Sequence, residues 1–309
     1  MKRYLFLFFC SILLVACNTD PAASTEALQE LNFGAIGSVD VLPIVIAEEN
    51  GYFSDENLIV NFESFTSAND RDAAFISGNL DGIVGDVVAI SLYQNGGTDV
   101  KITGITDGDF TLVARQNAGI DQVEDLVAQQ IAISNNTLIE YSLDKIIEKY
   151  NVSEDAIIKT IVPALPVRLE MLRNDQVDAA LLPEPFSTLA INEGAVVLGS
   201  ANEEGYNPSV SAFLQEAIEK KPEEIKSFYR AYNKAVDFLN QASIDEFEGL
   251  IIETVGYPED MRGSIELPTF RKNALPSDKE VQDVIDWVNQ KELIDKELTP
   301  NDLMDDIGI

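Results

Sequence analysis

Leu31-Asn32-Phe33-Gly34-Ala35-Ile36-Gly37-Ser38-Val39-Asp40 sets a short apolar run against a small, polar loop, and a helical pattern, Val41 to Glu49, follows at once. An apolar run bounded by Gly and Ser reads as a buried strand, and the polar residues after it read as a helix start. The unit then recurs. Leu58 to Phe65 reads as a strand and Asp70 to Ser77 as a helix, followed by strand Gly82-Ile83-Val84, helix Val87 to Tyr93 and strand Val100 to Ile105. Strands alternating with helices predict an α/β fold built on parallel sheet with crossover helices.

A second series opens after Asp107-Gly108-Asp109. Phe110 to Arg115 is extended, Ile131-Ala132-Ile133 is the next strand, and Thr137 to Tyr150 is a long amphipathic helix. Ile157 to Val162, Ala179 to Leu182 and Ala195 to Leu198 supply further strands, between helices at Leu165 to Arg173 and Pro185 to Asn192. From about Ala212 the pattern turns to nearly continuous helix: Leu214 to Lys220, Glu223 to Asn240, Ile244 to Val255 and Asp278 to Gln290. Pro222 sits where a first helical turn tolerates proline. Some 280 residues follow Glu30, long enough to split into two lobes. The expected division is 31–108 with 209–309 for lobe I and 109–208 for lobe II, with crossing segments near Asp107 to Thr111 and Tyr206 to Ser211.

The N-terminus bears on the compartment. Lys2 and Arg3 precede an uncharged run from Tyr4 to Ala16 that ends in Leu14-Val15-Ala16-Cys17. Thirteen residues fall short of the roughly 20 that a membrane-crossing helix needs, so 1–16 reads as a signal peptide. Leu-Val-Ala before Cys17 resembles the lipobox of bacterial lipoproteins, which implies that Cys17 is the lipidation site. Residues 17–30 lack apolar periodicity and read as a flexible tether.

Composition excludes much chemistry. The chain has no histidine, and its two cysteines are Cys10, which leaves with the signal, and Cys17. Ser-His-Asp triads, imidazole acid–base chemistry, disulfides and His or Cys metal sites are therefore excluded from the mature domain. No catalytic residue, metal site or cofactor is expected. Loss of the leader leaves 19 Lys plus Arg against 53 Asp plus Glu, a net charge of −34. Such a chain repels nucleic acid and anionic headgroups, so the lipid is the expected membrane contact, and the chain is expected to be monomeric.

In α/β sheets ligands bind beyond the carboxyl ends of the strands, where loops meet helix N-termini. The candidate residues there are Ser38, Val39 and Asp40 after the first strand, Thr66 and Ser67 after the second, and Asp86 after the third. Asp107 at the crossing, Asn135, Asn136 and Thr137 and then Glu184 in the second lobe, and Tyr206 as a stacking ring complete the set. Each is also an ordinary helix cap or core residue.

The stretch Phe33 to Ser38 followed by Ile46-Ala47-Glu48-Glu49-Asn50-Gly51-Tyr52-Phe53 resembles the opening of solute-binding proteins of the nitrate, sulfonate and thiamine-precursor type, the NMT1/SsuA-like family. Leu80 to Asp86, Ile139 to Leu143, Arg168 to Leu172 and Asp178 to Pro185 continue the likeness. It implies a type II periplasmic-binding-protein fold: two α/β lobes with a hinge and a central ligand cleft, closing on a small solute and docking on an ABC permease outside the cytoplasm. Asp40, Asp86, Asp107 and Glu184 among the loops point to a neutral or cationic, hydrogen-bond-donating solute such as an aminopyrimidine related to thiamine, with Glu184 or Asp40 accepting from its amino group. Sulfonate and nitrate stay open. The alternatives are an enzyme on the same fold acting on a small ring metabolite, and a surface lipoprotein with a structural or adhesive role.

Overall fold

The computed structural model describes residues 30–206 and 208–309. The leader, Cys17 and all of the tether except Glu30 lie outside them, and Glu30 itself opens the first strand.

In chain order the elements are β1 (Glu30–Ile36), α1 (Leu42–Glu49), α2 (Tyr52–Asp55), β2 (Ile59–Phe65), α3 (Ala68–Ile76), β3 (Gly82–Asp86), α4 (Val87–Gly96) and β4 (Val100–Ile105). The chain then crosses to β5 (Phe110–Ala114), β6 (Gln130–Ile133), α5 (Leu138–Lys149), β7 (Ile158–Ile161), α6 (Leu165–Arg173), β8 (Ala179–Pro183), α7 (Phe186–Asn192), β9 (Val196–Ser200) and α8 (Ala201–Glu204). It returns through β10 (Ser209–Leu214) to α9 (Gln215–Lys220), α10 (Pro222–Gln241), α11 (Glu248–Val255), α12 (Asp278–Gln290) and α13 (Pro300–Leu303).

The strands form two five-stranded sheets, β2-β1-β3-β10-β4 and β7-β6-β8-β5-β9. The two orders correspond strand for strand, with β3 and β8 at the centres. The sheets are mixed, where the sequence pattern implied parallel pairing: β10 runs antiparallel to β3 and β4, and β5 antiparallel to β8 and β9. The reason lies in the crossings. β5 and β10 each enter their sheet from the edge where the parallel strands end, so each must run away from that edge. A second difference is that Ala212 to Leu214 close β10 instead of opening a helix. That strand is buried on both faces and so lacks the alternation that marks a half-exposed strand.

Helix α10 shows how the C-terminal third holds the first lobe. Its Ile225, Phe228, Tyr229, Tyr232, Ala235, Val236 and Leu239 recur at helical spacing and are buried. The Phe228 ring lies 4.9 Å from Phe33, 5.5 Å from Phe53 and 5.7 Å from Phe213, centroid to centroid. Gly82 admits this cluster, because a Cβ there would sit 2.6 Å from the Phe213 ring. Burying an aromatic ring among three others makes Phe228→Ala costly, by about 3–5 kcal/mol. A urea titration followed by circular dichroism checks this, and a loss below about 1 kcal/mol would mean that the cluster is not the anchor.

Candidate ligand-binding cleft

The carboxyl ends of β1 and β3 face those of β6 and β8 across a cavity with walls from both lobes. Four helices begin at its edge. Ser67 caps α3 by accepting from the Asp70 N–H at 3.3 Å, Asp86 caps α4 by accepting from Ala89 N–H at 2.8 Å, and Thr137 caps α5 by accepting from Ile139 N–H at 3.2 Å. Helix α6 starts behind Ala164 with no side-chain cap. The Asp86 carboxylate already meets the positive ends of α4 and α5, which leaves those of α3 and α6 to favour a further negatively charged group in the space between them. The Leu138 N–H, from the second lobe, also reaches the Asp86 carboxylate of the first.

Three charged side chains line the cavity: Asp40, Asp86 and Arg71. Asp40 accepts from the Ser38 hydroxyl, and the hydroxyls of Thr106 and Ser209, both at the crossings, lie 3.4 Å from its other oxygen. Burial raises the pKa of both carboxyls above the usual carboxylate value, because the charged form is desolvated. Arg71 donates through Nη1 to the Val84 carbonyl at 2.9 Å and through Nε and Nη2 to Asp72 at 2.9 and 2.7 Å. Ser134, at the end of β6, accepts from Arg168 Nη2 at 2.5 Å. Apolar surface from Ile36, Val84, Phe110, Leu138, Ile139 and Leu165 fills much of the rest.

Of the residues expected from sequence, Ser38, Asp40, Asp86 and Thr137 meet in this cavity. The other loop candidates do not line it: Val39 is buried in the first-lobe core, Ser67 caps its helix, and Thr66, Asn135 and Asn136 are exposed. Asp107 is held at the crossing by the backbone and side chain of Arg271, at 2.6 and 2.5 Å. Tyr206 packs beside α5, its carbonyl accepting from Ser142 at 2.7 Å. Glu184 caps α7: it accepts from Ser187 at 2.7 Å and from the Thr188 hydroxyl at 2.9 Å. It also joins the lobes, accepting from the Tyr257 hydroxyl at 3.2 Å. Across another part of the interface, Asp144 of α5 accepts from Trp287 Nε1 at 3.1 Å and pairs with Lys291 at 2.9 Å.

The set of site residues expected from sequence lacks Arg71, Ser134, Arg168 and Ser209, although Ser134 opens the polar loop that supplied Asn135, Asn136 and Thr137, and Arg71 is the basic residue nearest the candidate loops. A signal for the arginines existed. Arg168 shares a helix face with Leu165, Leu169 and Leu172, and Arg71 shares one with Phe75, so each places a cation on an otherwise apolar stripe.

Comparison with known proteins fits this geometry. A family model described as NMT1/THI5 like matches residues 38–242. A protein of Bacillus subtilis (strain 168) named for binding aliphatic sulfonates is 26% identical, over 100% of this chain and 96% of the relative. Among solved structures, the periplasmic aliphatic sulphonate binding protein SsuA from Escherichia coli superposes with a TM-score of 0.76 at 16% identity, covering 89% of this chain and 91% of that one. The desulfurization enzyme DSZB does so with a TM-score of 0.67 at 12% identity, covering 88% and 95%. The two mixed-sheet lobes are thus those of the periplasmic binding-protein fold, and the chain belongs to the NMT1/THI5-like family.

Proposed function

We propose that this protein is an extracytoplasmic, lipid-anchored solute-binding protein that carries a small organic anion of the sulfonate type to an ABC importer. The observation that carries the reading is a cavity walled by both lobes, edged by four helix N-termini, with Arg71 in its wall and Arg168 directly behind Ser134. The whole-length likeness to a protein named for binding aliphatic sulfonates supports that solute class. The lipobox at Cys17 supports the anchor, and among the described residues no helix is long and apolar enough to cross a membrane.

A second reading, the aminopyrimidine of the thiamine type, draws support from Asp40 and Asp86, whose carboxylates are acceptors for an amino group. Catalysis draws less, although an enzyme shares the fold. The chain lacks histidine, and both cavity carboxylates are already occupied as acceptors from hydroxyl or backbone donors.

Thermal melting and calorimetry with ethanesulfonate, nitrate and an aminopyrimidine test the solute. Ethanesulfonate at a hundred times its dissociation constant should add about 2.7 kcal/mol of stability. Stabilisation by the aminopyrimidine alone would replace this reading with the second one. Mass spectrometry of the incubated solute should find it unchanged.

Closure on the solute needs contacts that exist only when the lobes meet. Tyr257→Phe removes the hydroxyl that reaches Glu184 and should weaken solute affinity between about 2-fold and 10-fold with the fold intact. Unchanged affinity by calorimetry would mean that this bond does not favour the closed form.

The raised pKa of Asp40 has a defined sign. Its neutral form is favoured in the folded state, so its contribution to stability is full below the ordinary value of 3.8 and is lost as pH rises through the raised folded value. Asp40→Asn stays neutral throughout. The melting temperature of the variant minus that of the wild type should therefore climb as pH rises from 3.8 toward neutrality, and a flat difference would count against a buried, strained carboxylate.

A further inference from the structure

Arg71 and Arg168 are equivalent residues of the two lobes. Each is the fourth residue of the helix that precedes the central strand of its sheet, α3 before β3 and α6 before β8. Nη1 of each donates to the carbonyl of the third residue of that strand, Val84 at 2.9 Å and Leu181 at 2.8 Å. Their charges are met differently. Arg71 has the Asp72 carboxylate on two of its nitrogens and Asp86 close by. Arg168 is 0% exposed and donates only to neutral oxygens: the carbonyls of Val162 and Leu181, and the hydroxyl of Ser134. Among the described residues no carboxylate pairs with it, in a chain that carries 53 acids. Burial lowers its pKa to about 9, which leaves the guanidinium charged at neutral pH.

Ser134 links this charge to the cavity. Its oxygen accepts from Arg168 at 2.5 Å, and among the described residues its own proton has no acceptor, while the side chain lines the cavity wall. A hydroxyl that accepts from a cation is a stronger donor in turn, because the two bonds polarise each other.

We propose that the solute's oxyanion is the counter-ion of Arg168, reached through Ser134, whose O–H donates to it. Arg168 is then a positioning residue that selects for negative charge, and Ser134 is the group that touches solute. A buried cation without a partner is costly. An anion in the cavity removes that cost only while bound, so the guanidinium converts directly into affinity for charge. Arg71 cannot serve in the same way, since Asp72 already offsets it. The inference rests on the reading of the solute as a small anion.

Calorimetry of the full chain with ethanesulfonate and with ethyl methyl sulfone, a neutral molecule of similar shape, separates charge from fit. Ser134→Ala should weaken ethanesulfonate on the order of 10- to 100-fold and the sulfone by only a few-fold, the difference between a hydrogen bond to a charged group and one to a neutral group. Arg168→Met should likewise narrow the gap between the two probes, by a loss confined to ethanesulfonate. If that variant does not fold, Ser134→Ala decides alone. Equal losses for both probes, or no loss, would overturn the role assigned here while leaving the solute class standing. A wild-type protein that binds no sulfonate would remove the solute class, and this inference with it.

Discussion

A strand that enters a sheet from the edge where its neighbours end has to run against them, and the cleft of this protein is built on two such pairings. Phe110 at the start of β5 stands opposite Pro183 at the end of β8, and Ser209 at the start of β10 stands opposite Asp86 at the end of β3. All four residues line the cavity. The backbone ladders that carry the chain between lobes therefore also set the register of the cavity wall. A slip of one residue in either ladder would turn a lining side chain to the other face of its sheet.

On that frame the charges are distributed unequally. The first lobe brings Asp40, Asp86 and Arg71 to the wall, the last tied to Asp72, and the second holds Arg168 behind Ser134 with, among the described residues, no carboxylate paired to it. Burial penalises all of these groups in their charged forms, and hydroxyls from Ser38, Ser134 and Ser209 hydrogen-bond or approach several of them. Such a wall is polarised from one lobe to the other. An acidic exterior does not contradict an anionic solute, since charges on the outer surface are screened by salt over about 10 Å while those in the cavity are not.

Outside the cavity the lobes touch through polar contacts of different kinds. Glu184 and Tyr257 share a single hydrogen bond, whereas Asp144 is engaged from the other lobe by both Trp287 and Lys291, besides Lys159 of its own lobe. The first is readily exchanged for water when lobes part. The second, with Tyr141 edge-on to Trp287 at 5.7 Å, joins α5 to α12 through a larger and more buried contact.

The alternation from Leu31 onward was enough for an α/β chain of two series, because strand and helix periodicities are local properties of side-chain order. The polar loops at strand ends likewise pointed to Ser38, Asp40, Asp86 and Thr137 from their positions alone. Tertiary structure decided the rest. Glu184 caps α7 locally through Ser187 and Thr188, but that it also faces Tyr257, and that Asp107 faces Arg271, depends on partners 73 and 164 residues away that only folding brings near. The antiparallel course of β5 and β10 depends on which edge the chain enters by, which periodicity does not encode. The unpaired charge of Arg168 was equally hidden, for an absent counter-ion is a property of the space around a residue and not of its neighbours in sequence.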